Sequence, residues 1–213
     1  MERLEIIKSI CQVINDNKDY LTELDREIGD GDHGVNLARG FEKIAAELPN
    51  MTNLSAAEVL SKMAMLLMSN VGGASGALYA SALIKGSAAL KTQTTLNAQV
   101  VADTWQQMID GIQQRGKAVL GEKTMLDSQI PAYQAFLAEI SQAGSLSQGF
   151  AAAEQSALNG LNATRDIIAT KGRASYLGER SLGHLDPGAA SSYLMIKAIS
   201  EALAEQATKE KIC

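Results

Sequence analysis

The chain has 213 residues and a formal charge of −5, enough for one sizeable core and too acidic for a broad electrostatic grip on nucleic acid, which needs clustered Lys and Arg. No Pro-rich, Ser-rich or single-charge run divides it, so one domain over 1–213 is expected. The opening Met1-Glu2-Arg3-Leu4-Glu5 lacks the basic and apolar regions of a signal peptide, and no apolar run is long enough to span a bilayer. Of the two cysteines, Cys11 sits in an apolar helical pattern and Cys213 is the last residue, without the trailing residues of a prenylation signal. A structural disulfide is not expected, and the protein reads as cytoplasmic with no membrane partner.

With an aromatic fraction of 4% and plentiful Ala, Leu, Met and Gln, the composition favours helices. Leu4, Ile7, Ile10, Cys11 and Ile14 recur at helical spacing and predict a helix over 2–17. An acidic joint at 24–34 leads to a helix over 35–48. Ser55 followed by Glu58 fits a capping box and opens a helix over 55–69, on which Leu60, Met63, Ala64, Leu67 and Met68 form the apolar stripe. Further helices are predicted over 75–90, 97–114, 127–142 and 146–170. Asp186 before Pro187 fits an N-cap followed by the proline favoured at the first helical position, opening a helix over 187–208. Short joints make successive helices antiparallel, so the expected fold is an all-α, up-and-down bundle of about eight helices.

Four joints do more than turn the chain. Residues 24–34 carry four carboxylates and three glycines, and Asp25, Asp30 and Asp32 converge only if the backbone turns sharply, as glycine permits. A hard cation such as Mg²⁺ relieves the repulsion among them and prefers a few carboxylates together with phosphate oxygens and water. Gly29 to Gly34 matches the dinucleotide pattern GxGxxG, but a helix precedes it where a buried strand is required. The same loop fails as an EF-hand, because Gly34, Val35 and Phe41 stand at the fifth, sixth and twelfth positions. A non-EF Mg²⁺ cluster remains, with a solvated acidic turn as the competing reading.

The run Gly72-Gly73-Ala74-Ser75-Gly76 before a helix is suited to hold phosphate on unsatisfied backbone N–H groups, or equally to let two helices pack closely. Joint 115–125 is rich in Gly and charge. Joint 171–186 brings Arg173 and Arg180, whose guanidinium groups suit a phosphoryl group, and His184. Both histidines, His33 and His184, fall in joints rather than on apolar faces. An acidic loop, a Gly-Ser turn and an Arg-bearing loop together are the parts of a Mg²⁺-nucleotide site.

The segments Asp25 to Gly34, Gly72 to Gly76, Arg115-Gly116-Lys117, Gly121 to Asp127 and Gly172 to Ser181 resemble, in order, the nucleotide-binding subunit of the dihydroxyacetone kinase family. The resemblance implies a closed barrel of eight antiparallel helices with the nucleotide at one end. It also implies that Asp25, Asp30 and Asp32 ligate two Mg²⁺ ions bridging the phosphates of ADP or ATP. His33, Gly34, Val35 and Asn36 would sit beside the nucleotide, and Ala74 and Ser75 would hold phosphate. Gly116 and Met125 would shape the base and ribose pocket, Arg173 would serve catalysis near the transferring phosphate, and Asp186, Pro187 and Gly188 would close the site.

By the same resemblance the chain is a kinase subunit with no room for a dihydroxyacetone-binding domain. A separate dihydroxyacetone-binding kinase subunit is implied, with a phosphotransferase-system phosphocarrier rephosphorylating bound ADP and phosphoenolpyruvate as ultimate donor. Alternatives are an ATP-dependent kinase for another keto-sugar such as erythrulose and a nucleotide-dependent regulatory module. A transcriptional regulator and a second copy of the chain complete the expected partners.

Overall fold

The computed structural model describes residues 2–210, and the expectation for Cys213 lies outside them. Among the described residues there are nine α-helices and no strand: α1 (Glu2–Asp16), α2 (Lys18–Ile28), α3 (His33–Glu47), α4 (Ala56–Asn70), α5 (Gly73–Leu90), α6 (Ala98–Gly116), α7 (Leu126–Ser141), α8 (Leu146–Ala163) and α9 (Pro187–Glu210). Eight of them form a ring. From α3 onward each packs on the next, α3 packs on α1, and α9 returns to α1, closing the barrel. The ninth, α2, follows α1 and packs against α3 and α9.

Helix starts follow local chemistry. Ser55 and Glu58 form the reciprocal capping box, with the Ser55 Oγ accepting from Glu58 N and Glu58 Oε2 accepting from Ser55 N at 2.7 Å. Asp186 Oδ2 accepts from Ala189 N at 2.7 Å at the start of α9. The barrel interior is one apolar cluster built from the stripes of all these helices, including Ile14, Leu37, Leu67, Phe136 and Ile196. Trp105 of α6 ties three walls together: it stacks on Phe150 of α8 at 5.5 Å and meets Phe136 of α7 at 5.7 Å.

Two predicted boundaries move. The acidic joint expected at 24–34 shrinks to 29–32, because residues 18–28 are helical as α2. Leu21, Leu24 and Ile28 form a buried stripe at spacings of three and four that the surrounding charges mask. The helix expected over 146–170 ends at Ala163, followed by a 3₁₀ turn over Thr164–Asp166. The carbonyl of Thr164 closes that turn by accepting from Ile167 N and also meets the ammonium of Lys123, which reaches the Ile167 carbonyl as well. The joint beyond carries 3₁₀ turns over Arg173–Ser181, kinked at Gly178, whose φ of +56° favours glycine.

No described helix is long and apolar enough to cross a membrane. In an up-and-down ring, alternate joints fall at the same end. The joints before α3, α7 and α9 are the three rich in Gly and charge, and the joint before α5 is the small, uncharged Gly-rich turn; those before α4, α6 and α8 cross the opposite end.

Candidate nucleotide and metal site

The four special joints enclose a cleft of about 540 Å³. A second cavity of about 330 Å³ lies among apolar side chains such as Ile7, Leu67 and Ile196 and has no carboxylate in its wall, so polar chemistry belongs to the first.

Asp25 is on the last turns of α2, Asp30 in the turn and Asp32 immediately before α3. Each offers an oxygen, and the three oxygens lie within 4.8 Å of one another. This convergence is built by backbone. Asp25 Oδ2 accepts from Asp32 N at 2.8 Å and His33 N at 3.0 Å, pulling the turn onto α2. A Cβ on Gly29 would sit 2.1 Å from Asp25 Oδ1, so only glycine leaves that carboxylate room. Asp30 Oδ2 pairs with Arg173 at 2.8 Å across the cleft. The donor set of hard oxygens fits Mg²⁺, which these residues would hold together with phosphate.

Gly73 opens α5 with φ +70° after Gly72, which makes no side-chain cap. The first N–H groups of the helix are thereby left for a ligand, at the positive end of the helix dipole. A Cβ on Gly73 would lie 3.9 Å from Asp32 Oδ1, which places this helix start beside the carboxylate turn. The charged side chains of the wall are mixed: Asp25, Asp30, Asp32 and Asp186 face Arg115, Lys123, Lys171 and Arg173. An anion neutralised by a cation suits such a wall better than either ion alone.

His33 is buried at the start of α3, not on a solvated loop. Its Nε2 meets Ser191 Oγ at 3.0 Å, and Ser191 in turn meets the Tyr79 hydroxyl at 2.8 Å. Burial holds the His33 imidazole down at about pKa 4, so it is neutral at pH 7. Asp186 shows the opposite displacement. Burial, with Asp127 and Asp25 adding repulsion, pushes its carboxyl up to about 7 against the pull of Lys123 and the Ala189 N–H. Glu27, the fourth carboxylate of the acidic segment, points away from the cluster to His184 Nδ1 at 3.0 Å.

Of the residues expected at the site, Asp25, Asp30, Asp32, His33, Ala74, Ser75, Gly116, Met125, Arg173, Asp186, Pro187 and Gly188 line the cleft. Gly34, Val35 and Asn36 do not. Gly34 lies against the Lys18 carbonyl and Thr22, where any Cβ would clash, Val35 is 44% exposed, and Asn36 accepts from Arg39. Asn36 nonetheless lies beside the α5 start, where a Cβ on Gly72 would come within 3.3 Å of its amide. Arg180 is exposed and stands outside the wall. Gly73 of the Gly-rich run lines the cleft too, and Leu78, Ile112, Lys123, Thr124 and Lys171 do so without having been given a role. Leu78 and Ile112 look like ordinary core positions in sequence; Lys123 had a signal, its place inside the Gly121 to Asp127 segment.

The DAK2 domain pattern matches residues 27–201. The chain belongs to the DAK2 domain family. It is 41% identical to the ADP-binding subunit DhaL of the PTS-dependent dihydroxyacetone kinase of Lactococcus lactis, over 94% of this chain and 96% of that one. Identity to the ADP-binding subunit DhaL of the PEP-dependent dihydroxyacetone kinase of Escherichia coli is 38%, over 96% and 99% of the two chains. Among solved structures, the native dihydroxyacetone kinase of C. freundii superposes with a TM-score of 0.74 at 24% identity, a likeness of fold. The same kinase in complex with AMP-PNP and Mg²⁺ gives 0.72 at 25% identity; this DAK2 chain is covered to 93% and spans 33% of that larger chain.

Proposed function

We propose that this DAK2 chain is the ADP- and ATP-carrying subunit of a cytoplasmic dihydroxyacetone kinase. It passes the terminal phosphoryl group of a Mg-nucleotide to dihydroxyacetone held on a separate subunit. ADP stays bound and is rephosphorylated by a phosphotransferase-system phosphocarrier, with phosphoenolpyruvate as ultimate donor. The observation that carries this reading is the meeting, in one cleft, of three convergent aspartates with the uncapped start of α5. The similarity to DhaL subunits over nearly the whole of both chains supports the choice of nucleotide and acceptor.

Asp25, Asp30 and Asp32 would hold two Mg²⁺ ions, which supply charge neutralisation for the phosphates. The chain's own groups do the rest. The N–H groups of Gly73 to Ser75 orient phosphate oxygens, and Met125, Gly116 and Ile112 offer apolar surface for the base. Arg173, 64% exposed on its loop, is free to exchange its bond to Asp30 for one to a phosphate oxygen and so stabilise charge as the group transfers. The mouth is bordered by loops that expose Val119, Leu120, Ile168, Leu182 and Tyr176, the last 86% exposed. The acceptor subunit would dock on this rim, because in-line transfer requires the acceptor hydroxyl within about 3–3.5 Å of the phosphorus.

Gel filtration of freshly purified protein tests the reading, with stoichiometric ADP expected in the protein peak. Asp30→Ala should lower Mg-ADP affinity on the order of 100-fold, from about 3 kcal/mol for one lost charged contact. Unchanged affinity in that variant would remove the aspartates from the site.

A further inference from the structure

Lys123 is the bulkiest of the fully buried side chains, 1% exposed. An ammonium in that position loses its hydration at a cost of several kcal/mol unless every donor is met. All of them are met by main chain. Nζ donates to the carbonyls of Thr164 at 2.6 Å, Ile167 at 3.3 Å and His184 at 2.6 Å. Thr164 caps the C-terminal end of α8, where the helix dipole favours a cation, and Ile167 follows the 3₁₀ turn beyond it. Asp186, Asp127 and Asp166 attract the charge from further off, and Arg165 opposes it. The Lys123 backbone is left-handed at φ +60°, a conformation that a non-glycine residue keeps only when its surroundings hold it there.

The segments gathered by this ammonium carry two adjoining walls of the cleft. Thr124 and Met125 follow Lys123 directly, while Asp186, Pro187 and Gly188 follow His184 within four residues, and all five line the cleft. The two walls touch. A Cβ on Gly188 would lie 3.3 Å from Met125 N. Thr164 reinforces the junction, its Oγ1 accepting from Asp186 N at 3.0 Å. Lys123 hydrogen-bonds to neither the 29–32 turn nor the start of α5, the elements that face metal and phosphate.

We infer that Lys123 is a positioning residue for the adenosine half of the ligand: its three carbonyl bonds hold the Thr124–Met125 wall against the Asp186–Gly188 wall. The inference rests on the Mg-nucleotide reading above and separates two halves of the site. The Asp186–Gly188 wall also borders Asp25 and His33, so Lys123 weighs on adenosine binding through both walls and on binding of metal and phosphate only through the second. Arginine cannot replace it, because a planar fork does not serve three carbonyls arranged around a tetrahedral ammonium.

The test is calorimetric titration of the full chain, stripped of nucleotide, with Mg-ADP and with Mg-pyrophosphate, in the wild type, Lys123→Met and Lys123→Arg. Lys123→Met should lose roughly tenfold to 100-fold in Mg-ADP affinity, the scale of a wall displaced by about an ångström, with Mg-pyrophosphate affinity within about twofold of the wild type. A merely structural role would lower the melting temperature and leave the ratio of the two affinities in place. Should Lys123→Met fail to fold, Lys123→Arg carries the same comparison with the charge retained. A ratio unchanged in the folded variants overturns the role of Lys123 alone. A wild type that binds neither ligand overturns the nucleotide reading itself.

Discussion

Replacing Asp186 by Asn should stabilise the nucleotide-free chain above neutral pH. The carboxyl is 8% exposed and raised from 3.8 to about 7, with burial as the main cause. A carboxyl with a raised folded-state pKa binds its proton more tightly in the folded chain. Its contribution is therefore fully present below about pH 4 and lost as the pH climbs from about 4 to 7. Three units at about 1.4 kcal/mol each set an upper bound on the order of 4 kcal/mol for the ionised side chain at pH 8. Asn cannot ionise, and its Oδ1 still accepts the Ala189 N–H, at a position where Asn caps as well as Asp. The new amide N–H₂ needs a partner, which reduces the gain by about 1 kcal/mol or more. Urea unfolding followed by circular dichroism at pH 4, 6 and 8, with chelator and without nucleotide, measures this directly. The two proteins should differ least at pH 4, and at pH 8 the variant should be the more stable by about 2–3 kcal/mol, the pH-dependent gain of up to about 4 kcal/mol less the constant cost of the amide. An equal difference between variant and wild type at all three pH values refutes the reasoning.

His33 titrates in the opposite sense. Its folded-state pKa is depressed to about 4, so its contribution is present above about pH 6.5 and lost as the pH falls toward 4, by on the order of 3 kcal/mol. In the wild type, Asp186 and His33 offset each other between pH 7 and 4; the Asp186→Asn protein should lose stability more steeply on acidification, and a variant profile that stays flat between pH 7 and 4 would count against a neutral buried imidazole. Gly160→Ala would place a Cβ 2.0 Å from the Asp127 carbonyl oxygen, forcing α8 away from α7 at about 3 kcal/mol, or roughly a 10 °C lower melting temperature. A thermal melt that moves by less than about 2 °C would show that the two helices separate freely.

The helices were readable because each start and stripe is a local matter. Ser55 with Glu58 and Asp186 with Pro187 cap helices through bonds spanning three residues, so the signal lies entirely within a short window. Helix α2 escaped the same reading because Leu21, Leu24 and Ile28 are interrupted by Glu23, Asp25, Arg26 and Glu27, and its burial against α3 and α9 is a tertiary fact. Asp25, Asp30 and Asp32 stood out by composition. His33 read as a residue of the joint, and what the sequence did not show is its burial at the start of α3, where its Nε2 meets Ser191, 158 residues away, which in turn meets Tyr79.

The sequence by itself determined the helical class, the caps and which joints carry glycine, charge and carboxylates, since these depend on neighbours a few positions apart. It also identified the family, through motifs strung in order along the chain. Only the tertiary structure decided that those joints share one end. Closure of α9 on α1 does this, because in an up-and-down ring every second joint returns to the same rim. That return sets Arg173 against Asp30 and buries the Lys123 ammonium among carbonyls 41, 44 and 61 residues away, contacts that no local pattern encodes.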